Sequence, residues 1–389
     1  MAEKPCDLFV VVGESSADLH GEALLKALFL QNPHLQIWGV GGPKMRTQGL
    51  RCIMPMEKFQ VMGFVDVFLA LPRLIRQFYA VVDAILKANP KGVVFIDYPG
   101  FNLRLAKTLR KKGYTGKLCH YICPSVWAHG KKRISLMAKN LDLLLTILPF
   151  EKQYFAGTPL AVHFVGHPLV ERLSSHHYQE IALPQDKKIV GLFPGSRKKE
   201  IERNFPLQLK VAKKLLQDDP ELFFAVSLAH TRFQKLLEKI IAEAKLTLGA
   251  EIALISPDKN YDMMKHCYLA LAKSGTVNLE LALHNVPTVV HYAVSRLDLF
   301  IVKHLIKLNL PYYCLVNIIA NQEIFPELYG PCFTEDNLYS AALRFLKDPK
   351  ARKVCQDQCL QLKESLGEKQ ASQEAAKYIN LKIQPGCHP

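Results

Sequence analysis

The pattern that best indicates the fold class lies in residues 91–107, KGVVFIDYPGFNLRLAK. The apolar run at 93–96 is typical of a strand that is buried on both faces. Asp97 follows it directly, a Pro-Gly pair then predicts a tight turn, and a helical pattern begins near Asn102. A strand, a turn and a helix in this order predict a parallel sheet. The carboxylate of Asp97 would then lie at the carboxyl ends of its strands, where the loops converge.

Strand and helix patterns of this kind alternate along most of the chain and form two series of similar size. They predict an α/β fold class with two Rossmann-like domains, residues 1–167 and 168–347, whose parallel sheets face a central cleft. A polar helical tail without strands is expected at 348–389. The expected strands are the run KKIVGLF and residues 8–12, 37–40, 93–96, 118–122, 143–147, 162–165, 222–228, 251–255, 268–272 and 288–292.

The composition excludes a disordered chain, because 49% of the 389 residues are hydrophobic. None of the ten cysteines forms a Cys-x-x-Cys pair or has the spacing of zinc ligands, so we expect reduced, structural thiols. The N-terminal apolar run is too short for a signal peptide, and no run approaches the ~20 apolar residues of a membrane span. A cytoplasmic protein is the expectation.

The net charge of +15 favours polyanionic partners. The basic clusters at 110–112, 131–133 and 197–199 are short and scattered, and no nucleic-acid-binding motif accompanies them. We therefore expect phosphate groups or an anionic membrane surface as partners, and no nucleic acid.

Two loops in the second half follow strands and precede helices, where free backbone amides attract anions. In LFPGSR, Ser196 and Arg197 suit a phosphate, although an ordinary strand-to-helix turn is an equally good interpretation of this loop alone. In SGTVNLE, the tripeptide 274–276 (Ser274, Gly275 and Thr276) opens a helix that places Glu280 one turn further on. A carboxylate at that position can accept both hydroxyls of a ribose, so the two loops together predict a nucleotide diphosphate site.

Loops of the first half carry further candidates for a cleft or acceptor site. The run GESSAD resembles a nucleophile elbow, but Ala17 stands where that motif needs glycine, which disfavours a hydrolase. His129, in HYICPSVWAHGKKR, is interpreted as a structural or hydrogen-bonding residue. The candidates in these loops are Gly13, Glu14, Ser15, Ser16, Ser125 and Trp127.

Residues 61–82, VMGFVDVFLALPRLIRQFYAVV, allow two interpretations of similar weight. A buried helix is one, and an interfacial segment or acyl-chain groove is the other, because basic residues accompany the large apolar ones. The acyl- or membrane-contacting candidates are Met62, Phe64, Val67, Phe68, Leu69, Leu71, Arg73, Ile75 and Arg76.

Taken together, the motifs resemble those of the lipid-A-disaccharide synthases, which are inverting glycosyltransferases of GT-B architecture. The resemblance runs from Gly13 to about Leu328. It rests on GESSAD, GVGGPKM, VMGFVDV, IDYPGFN, HYICPSVWA, LPFEK, FVGHPL, LFPGSR, SGTVNLE and NIIANQEIFPEL, in this order. Their number and order make a chance similarity improbable.

The resemblance implies that UDP-2,3-diacylglucosamine is joined to 2,3-diacylglucosamine 1-phosphate, which gives a β-1,6-linked disaccharide and UDP. It implies UDP contacts for Arg197 and Glu280, a place near the same site for Asn317, and no metal or other cofactor. Asp97 becomes the candidate general base, and its alternative role is that of a turn or cap residue. Acyl chains and a phosphate on the substrates imply a peripheral protein on the cytoplasmic face of the inner membrane, with a homodimer left open.

Three places depart from the family pattern. Ala17 replaces a glycine, residues 129–130 (His-Gly) replace a Trp-Arg pair, and residues 321–322 (Asn-Gln) replace a Gly-Arg pair. The last two changes each remove an arginine, so phosphate contacts and acyl-chain preference are expected to differ while the reaction stays the same.

Two alternatives remain at this point. Another GT-B enzyme, such as a lipid-linked sugar transferase or a UDP-N-acetylglucosamine epimerase, would keep the nucleotide loops but lack acyl-binding features. A non-catalytic nucleotide-sugar or nucleic-acid-binding protein would keep the basic surface, but it would not need Asp97.

Overall fold

The computed structural model describes residues 5–59, 64–128, 130, 132–293 and 311–384; of Ser15 and residues 64–70 it describes only the backbone. The chain divides into two compact units. One consists of Met1–Ser174 together with Leu366–Pro389, and the other of Ser175–Ser365. Each unit is built on a sheet in which every described strand pair is parallel, as the strand–turn–helix pattern predicts.

The first unit contains a seven-stranded sheet in the order β3-β2-β1-β4-β5-β6-β7. Its strands are β1 (Leu8–Val11), β2 (Ile37–Gly41), β3 (Arg51–Pro55), β4 (Gly92–Ile96), β5 (Lys117–Tyr121), β6 (Leu143–Thr146) and β7 (Ala161–Phe164). Its helices include α1 (Ser15–Gln31), α2 (Pro43–Thr47), α3 (Phe64–Ala88), α4 (Pro99–Lys111), α5 (Lys132–Asn140) and α6 (Pro168–Ser174). The central strand β4 is buried along its whole length, as its apolar run predicts.

The second unit contains a six-stranded sheet in the order β10-β9-β8-β11-β12-β13. Its strands are β8 (Lys188–Phe193), β9 (Leu222–Ser227), β10 (Ile252–Ile255), β11 (Cys267–Lys273), β12 (Thr288–Tyr292) and β13 (Glu327–Tyr329). Its helices include α7 (Lys198–Asp218), α8 (Gln234–Glu243), α9 (Asn260–His266), α10 (Val277–Leu283), α11 (Leu315–Ala320), α12 (Glu335–Lys347) and α13 (Pro349–Leu366).

The sequence pattern does not predict β3 and β13, and both are edge strands. Their residues are exposed or half-buried rather than buried, so neither strand has the apolar run by which an inner strand is detected.

The predicted tail at 348–389 is divided between the two units. Helix α13 belongs to the second unit, whereas the last helix, α14 (Ala371–Ile383), packs against α1 in the first. Ala375, Ala376 and Ile379 join the core of the first unit, and Gln31 of α1 accepts a hydrogen bond from Asn380 at 2.9 Å. The last helix is amphipathic and completes a core that begins more than 300 residues earlier, which local sequence patterns cannot reveal.

The strand order reverses once in each sheet. In the first, the chain runs outward from β1 to β3 and resumes on the other side at β4; in the second, it runs from β8 to β10 and resumes at β11. Ligands of open parallel sheets bind outside the carboxyl ends of the strands at such reversals. The loops after β1, β4, β8 and β11 are therefore the places to look for function.

None of the helices in the described part of the chain is both long and apolar enough to cross a membrane.

A buried carboxyl group organises the loop after β6. Glu151 is almost fully buried and accepts hydrogen bonds from the backbone amides of Ile147 (3.2 Å) and Leu148 (3.1 Å). Burial raises the pKa of Glu151 to about 8, although the two amides and the nearby indole of Trp127 act in the opposite direction. The ring of Trp127 packs edge-on against Phe150 at 5.9 Å, and Phe150 lies in the same turn as Glu151. Because Glu151 fixes this turn, it also supports the packing of Trp127.

We predict that Glu151 lowers the stability of the first unit as the pH rises. The pKa of this carboxyl is about 8 when folded and 4.5 in its ordinary state, so the folded protein holds the extra proton between these values. Relative to Glu151→Gln, the wild type should lose about 1.4 kcal/mol of unfolding free energy per pH unit from roughly pH 5 to pH 8. Urea denaturation at several pH values measures this difference. Glu368→Gln, at an exposed position, is the control, and parallel pH profiles for wild type and Glu151→Gln would refute the prediction.

Candidate functional site

The loops after β8 and β11 enclose a cavity of about 320 Å3 in the second unit. The predicted nucleotide residues Ser196, Ser274, Gly275, Thr276 and Glu280 all line it. The full lining is Phe193, Pro194, Gly195, Ser196, Glu200, Ser227, Ala229, Asn260, Met264, Lys273, Ser274, Gly275, Thr276, Val277 and Glu280. A cavity of this size and polarity suits a small polar ligand.

The loop after β8 has the geometry of an anion-binding turn. Gly195 has φ +122°, a conformation that residues with a side chain rarely adopt, and Arg197 is the N-cap residue of the 21-residue helix α7. The Arg197 side chain is 82% exposed and reaches Glu200 at 3.3 Å. Its guanidinium is therefore largely free of the protein surface and able to turn toward a ligand.

Two charged residues that sequence analysis did not single out complete this loop. The Glu200 carboxylate accepts a hydrogen bond from the Ser196 amide (3.1 Å) and forms an ion pair with Lys273 (3.1 Å). Burial raises the pKa of Glu200, but the Lys273 ammonium, the Ser196 amide and the Arg197 guanidinium outweigh it and hold this pKa below its usual range. In the sequence, only their positions point to these two residues: Lys273 ends β11, and Glu200 lies one helical turn after Arg197.

The loop after β11 is fixed by its neighbours. The Ser274 amide donates to the carbonyl of His291 (2.8 Å), and the Tyr329 hydroxyl donates to Ser274 Oγ (3.1 Å). Glu280 is half-buried in α10 and accepts a hydrogen bond from the Tyr261 hydroxyl at 3.0 Å. The carboxylate therefore faces the cavity in a defined orientation.

Asn317 is not brought to this cavity. It is fully buried in α11, where its amide donates to Phe325 O and Glu327 Oε1, each at 2.8 Å. Its Oδ1 accepts the amides of Ile324 (2.9 Å) and Phe325 (3.0 Å). This geometry explains Asn317 as the residue that holds the turn after α11, and it gives no support to direct contact with a nucleotide.

In the first unit, the loop after β4 is strained. Asp97 and Tyr98 both have left-handed φ angles, 49° and 47°, which are uncommon for residues other than glycine. Each such residue costs on the order of 1–3 kcal/mol and tends to occur at functional sites. Burial raises the pKa of Asp97, although the amide of Tyr98 opposes this effect.

Asn102 holds this turn in place. Helix α4 begins at Pro99, so Asn102, near which the sequence predicts the start of the helix, lies one turn inside it. Its Nδ2 donates to the carbonyl of Asp97 at 2.7 Å, so it ties the strained residue to the helix rather than capping the helix amides.

The loops after β1 and β4 meet at the first reversal point. A Cβ atom at Gly13 would lie 2.2 Å from Cδ1 of Tyr98, so only glycine allows the tyrosine ring to occupy this position. Burial raises the pKa of Tyr98, and the charge of Glu14 adds to the effect. Of the neighbouring candidates, Ser16 is exposed in the first turn of α1, and only the backbone of Ser15 is described.

The loop after β5 is also strained. Ile122 has φ 71°, a rare value for a β-branched residue, and its amide still pairs with the carbonyl of Leu145 at 3.0 Å. Beyond it, Ser125 is exposed and Trp127 is half-buried. Both candidates therefore stay accessible at the carboxyl edge of the first sheet, and His129 lies outside the described residues.

An apolar groove of about 400 Å3 lies beside the strained turn, between α3 and α4. Leu71 and Ile75 line it although they are 46% and 49% exposed, and Arg73 and Arg76 are exposed on the same helix. The remaining lining is Phe59, Leu74, Phe78, Tyr79, Tyr98, Gly100, Phe101 and Arg104. Residues 71–80 of this helix are exposed or half-buried, and Leu74 and Phe78 pack against the core of the first unit.

The side chains of the other apolar candidates are not among those that the structure describes. Met62 lies outside the described residues, and the side chains of Phe64, Val67, Phe68 and Leu69 belong to the backbone-only part of α3.

Within the described ranges, no three His, Cys, Asp or Glu side chains come together as metal ligands.

Comparison with known proteins identifies similar sequences over most of the chain. The family model described as lipid-A-disaccharide synthetase matches residues 8–383. A lipid-A-disaccharide synthase of Chlamydia pneumoniae is 41% identical over 329 residues, which are 83% of this chain and 53% of that protein. One of Geobacter metallireducens is 35% identical over 378 residues, 96% of each chain. The chain spans only 53–61% of the length of the chlamydial relatives that it matches.

Solved structures with little sequence similarity share the fold. A putative UDP-N-acetylglucosamine 2-epimerase of Listeria monocytogenes has a TM-score of 0.66 at 13% identity, and 99% of this chain and 98% of that chain are covered. A calicheamicin glycosyltransferase has a TM-score of 0.61 at 11% identity, with 98% of each chain covered. The predicted GT-B fold class, with its two parallel-sheet α/β domains, is confirmed.

Proposed function

The chain belongs to the lipid-A-disaccharide synthetase family, and we propose that it is an inverting glycosyltransferase of lipid A synthesis. Its donor is a UDP-linked diacylglucosamine and its acceptor a diacylglucosamine 1-phosphate; the products are the β-1,6-linked disaccharide and UDP. The observation that carries the proposal is the position of Asp97, a half-buried carboxylate beside an apolar groove. A base for a sugar hydroxyl and a surface for acyl chains are the two features that this acceptor requires.

The second unit supplies the nucleotide site in this proposal. Arg197 and the free amides at the start of α7 bind the diphosphate, and Glu280 accepts the ribose hydroxyls. Ser196 and the loop 274–276 line the same cavity and contact the phosphates. Positive charge here also stabilises UDP as it leaves, because negative charge on the diphosphate grows while the glycosidic bond breaks.

Asp97 acts as the general base on the acceptor. Its carboxylate takes the proton of the primary hydroxyl as that oxygen attacks the anomeric carbon, and UDP departs with the electrons of the broken bond. A single displacement inverts the configuration at this carbon. Burial raises the pKa of Asp97, which makes its carboxylate a stronger base than an exposed one.

The groove between α3 and α4 receives acyl chains of the lipid substrates, and the exposed apolar and basic side chains of α3 meet an anionic bilayer. Large apolar residues with arginines among them suit the boundary between acyl chains and phosphate headgroups. This proposal makes the protein peripheral on the cytoplasmic face of the inner membrane. A homodimer is compatible with it, and the chemistry does not require one.

A sugar epimerase is the main alternative, since enzymes of that name share the fold. The apolar groove disfavours it, because a water-soluble nucleotide sugar has no apolar group to fill a groove of about 400 Å3.

We predict that Glu280→Ala weakens UDP binding by roughly 1.5–3 kcal/mol, because a charge-assisted contact with the ribose is lost. Calorimetry with UDP and with its 2′,3′-dideoxy analogue measures the effect. The wild type should prefer UDP, and Glu280→Ala should bind both alike. Glu243→Ala, at an exposed position of α8, is the control; an unchanged preference in Glu280→Ala would exclude the ribose role.

Asp97→Asn should keep the fold and UDP affinity but lose ~10²–10⁴ in turnover, the usual share of a general base. Turnover is measured with both lipids at saturating concentration. Asp83→Asn, at an exposed position on α3, should behave as wild type. Near-normal turnover in Asp97→Asn would remove this carboxylate from the mechanism.

Leu71→Ser/Ile75→Ser should weaken binding to anionic vesicles and raise the KM for the lipid acceptor. Because both side chains are already about half exposed, the thermal unfolding temperature should change little. Leu30→Ser, at an exposed position of α1, is the matched control. If the double variant unfolds, this part of α3 is structural; if it folds and binds vesicles as the wild type does, the proposed membrane contact is wrong.

A further inference from the structure

Glu200, Lys273 and Arg197 form a charged cluster in which Glu200 and Lys273 line the cavity of the second unit and the exposed Arg197 lies outside that lining. Lys273 Nζ lies 3.1 Å from Glu200 Oε1 and 4.9 Å from the centre of the Tyr292 ring. The side chains of Lys273 and Glu200 are only 16% and 10% exposed. Both residues nevertheless line the cavity, so the ion pair faces the space that a ligand would fill.

The Glu200 carboxylate lies where several hydrogen-bond donors of the loop converge. It accepts the Ser196 amide at 3.1 Å, and it lies 3.3 Å from the Arg197 guanidinium. The loop packs closely around it, since a Cβ atom at Gly195 would be 2.8 Å from Cβ of Glu200. An amide at a helix start, an arginine and a lysine are the donors that bind phosphate in proteins, and here they converge on a carboxylate of the same chain.

The charge balance of the cluster favours an incoming dianion. Within the cluster, two cations contact one carboxylate, so the cluster itself carries an excess of one positive charge. Lys273 is held at the end of a rigid inner strand, and its ammonium has little freedom to move away into water. A diphosphate in this cavity would bring two or more negative charges to the same donors and would compete with Glu200 for them.

We propose that Lys273 is a diphosphate ligand, and that Glu200 is an internal competitor which holds the amide and both cations until the nucleotide displaces it. The proposal rests on the nucleotide site proposed above and assigns two further residues to it. Glu200 neutralises part of the positive charge of the cluster and keeps the loop ordered until a nucleotide binds. The same carboxylate weakens UDP binding and so favours release of the product.

The test uses calorimetry with two probes, UDP and uridine, which differ only in the diphosphate. Lys273→Met should weaken UDP binding by ~10- to 100-fold and leave uridine binding unchanged, because one charged hydrogen bond is lost. Glu200→Gln should tighten UDP binding several-fold, again without effect on uridine, because the amide removes the competing charge. Lys188→Met is the matched control: Lys188 opens a strand of the same sheet and pairs with Asp219 at 3.3 Å, and its loss should change neither affinity.

The opposite signs of the two effects separate this proposal from a purely structural ion pair. If both variants weaken UDP binding, if neither changes it, or if uridine binding changes as much, the assignment is wrong. If Lys273→Met does not fold, Glu200→Gln decides alone: tighter UDP binding supports the proposal, and equal or weaker binding refutes it. Wild-type protein that does not bind UDP would instead overturn the nucleotide site itself.

Discussion

Parallel pairing of β1 with β4, and of β8 with β11, is the constraint on which both candidate sites depend. Inner strands of these sheets are buried on both faces and leave no place for polar chemistry along their length. Charged and polar side chains therefore collect in the loops beyond the carboxyl ends. At each reversal of strand order, helices diverge to opposite faces, and the loops there are free to hold a ligand. The carboxylate at position 97, which stands at the rim of a buried sheet, is a consequence of this geometry.

Two carboxylates at the two reversal points have opposite electrostatic environments. Burial dominates at Asp97 and raises its pKa, whereas lysine and arginine cations dominate at Glu200 and lower its pKa. The environment of Asp97 favours proton transfer. The environment of Glu200 keeps its carboxylate negatively charged, and in our proposal a diphosphate displaces this carboxylate from its cations. Strain accompanies the first site: left-handed φ angles at Asp97 and Tyr98 are held by the side chain of Asn102.

The sequence alone predicts whatever is encoded locally. Apolar runs predict the inner strands. Strand–turn–helix patterns predict that Asp97 and the loop 274–276 lie beyond the carboxyl ends of strands. Edge strands β3 and β13 have no such run, and the packing of α14 on α1 joins segments from opposite ends of the chain. The pairing of Glu200 with Lys273 is likewise hidden, because it depends on which strands lie side by side. A motif can also suggest a role that the structure does not support: Asn317 lies in a family motif, but its side chain stabilises a turn.

The proposed joining of two acylated glucosamines can be measured in a reaction of the purified protein with both lipid substrates in mixed micelles. Mass spectrometry of the products, with the UDP-linked donor omitted in one control and the 1-phosphate acceptor in another, follows the reaction. We expect equal amounts of UDP and a tetra-acylated disaccharide monophosphate, formed only when both substrates are present. UDP released without acceptor, an isomerised donor sugar, or no product at all would contradict it.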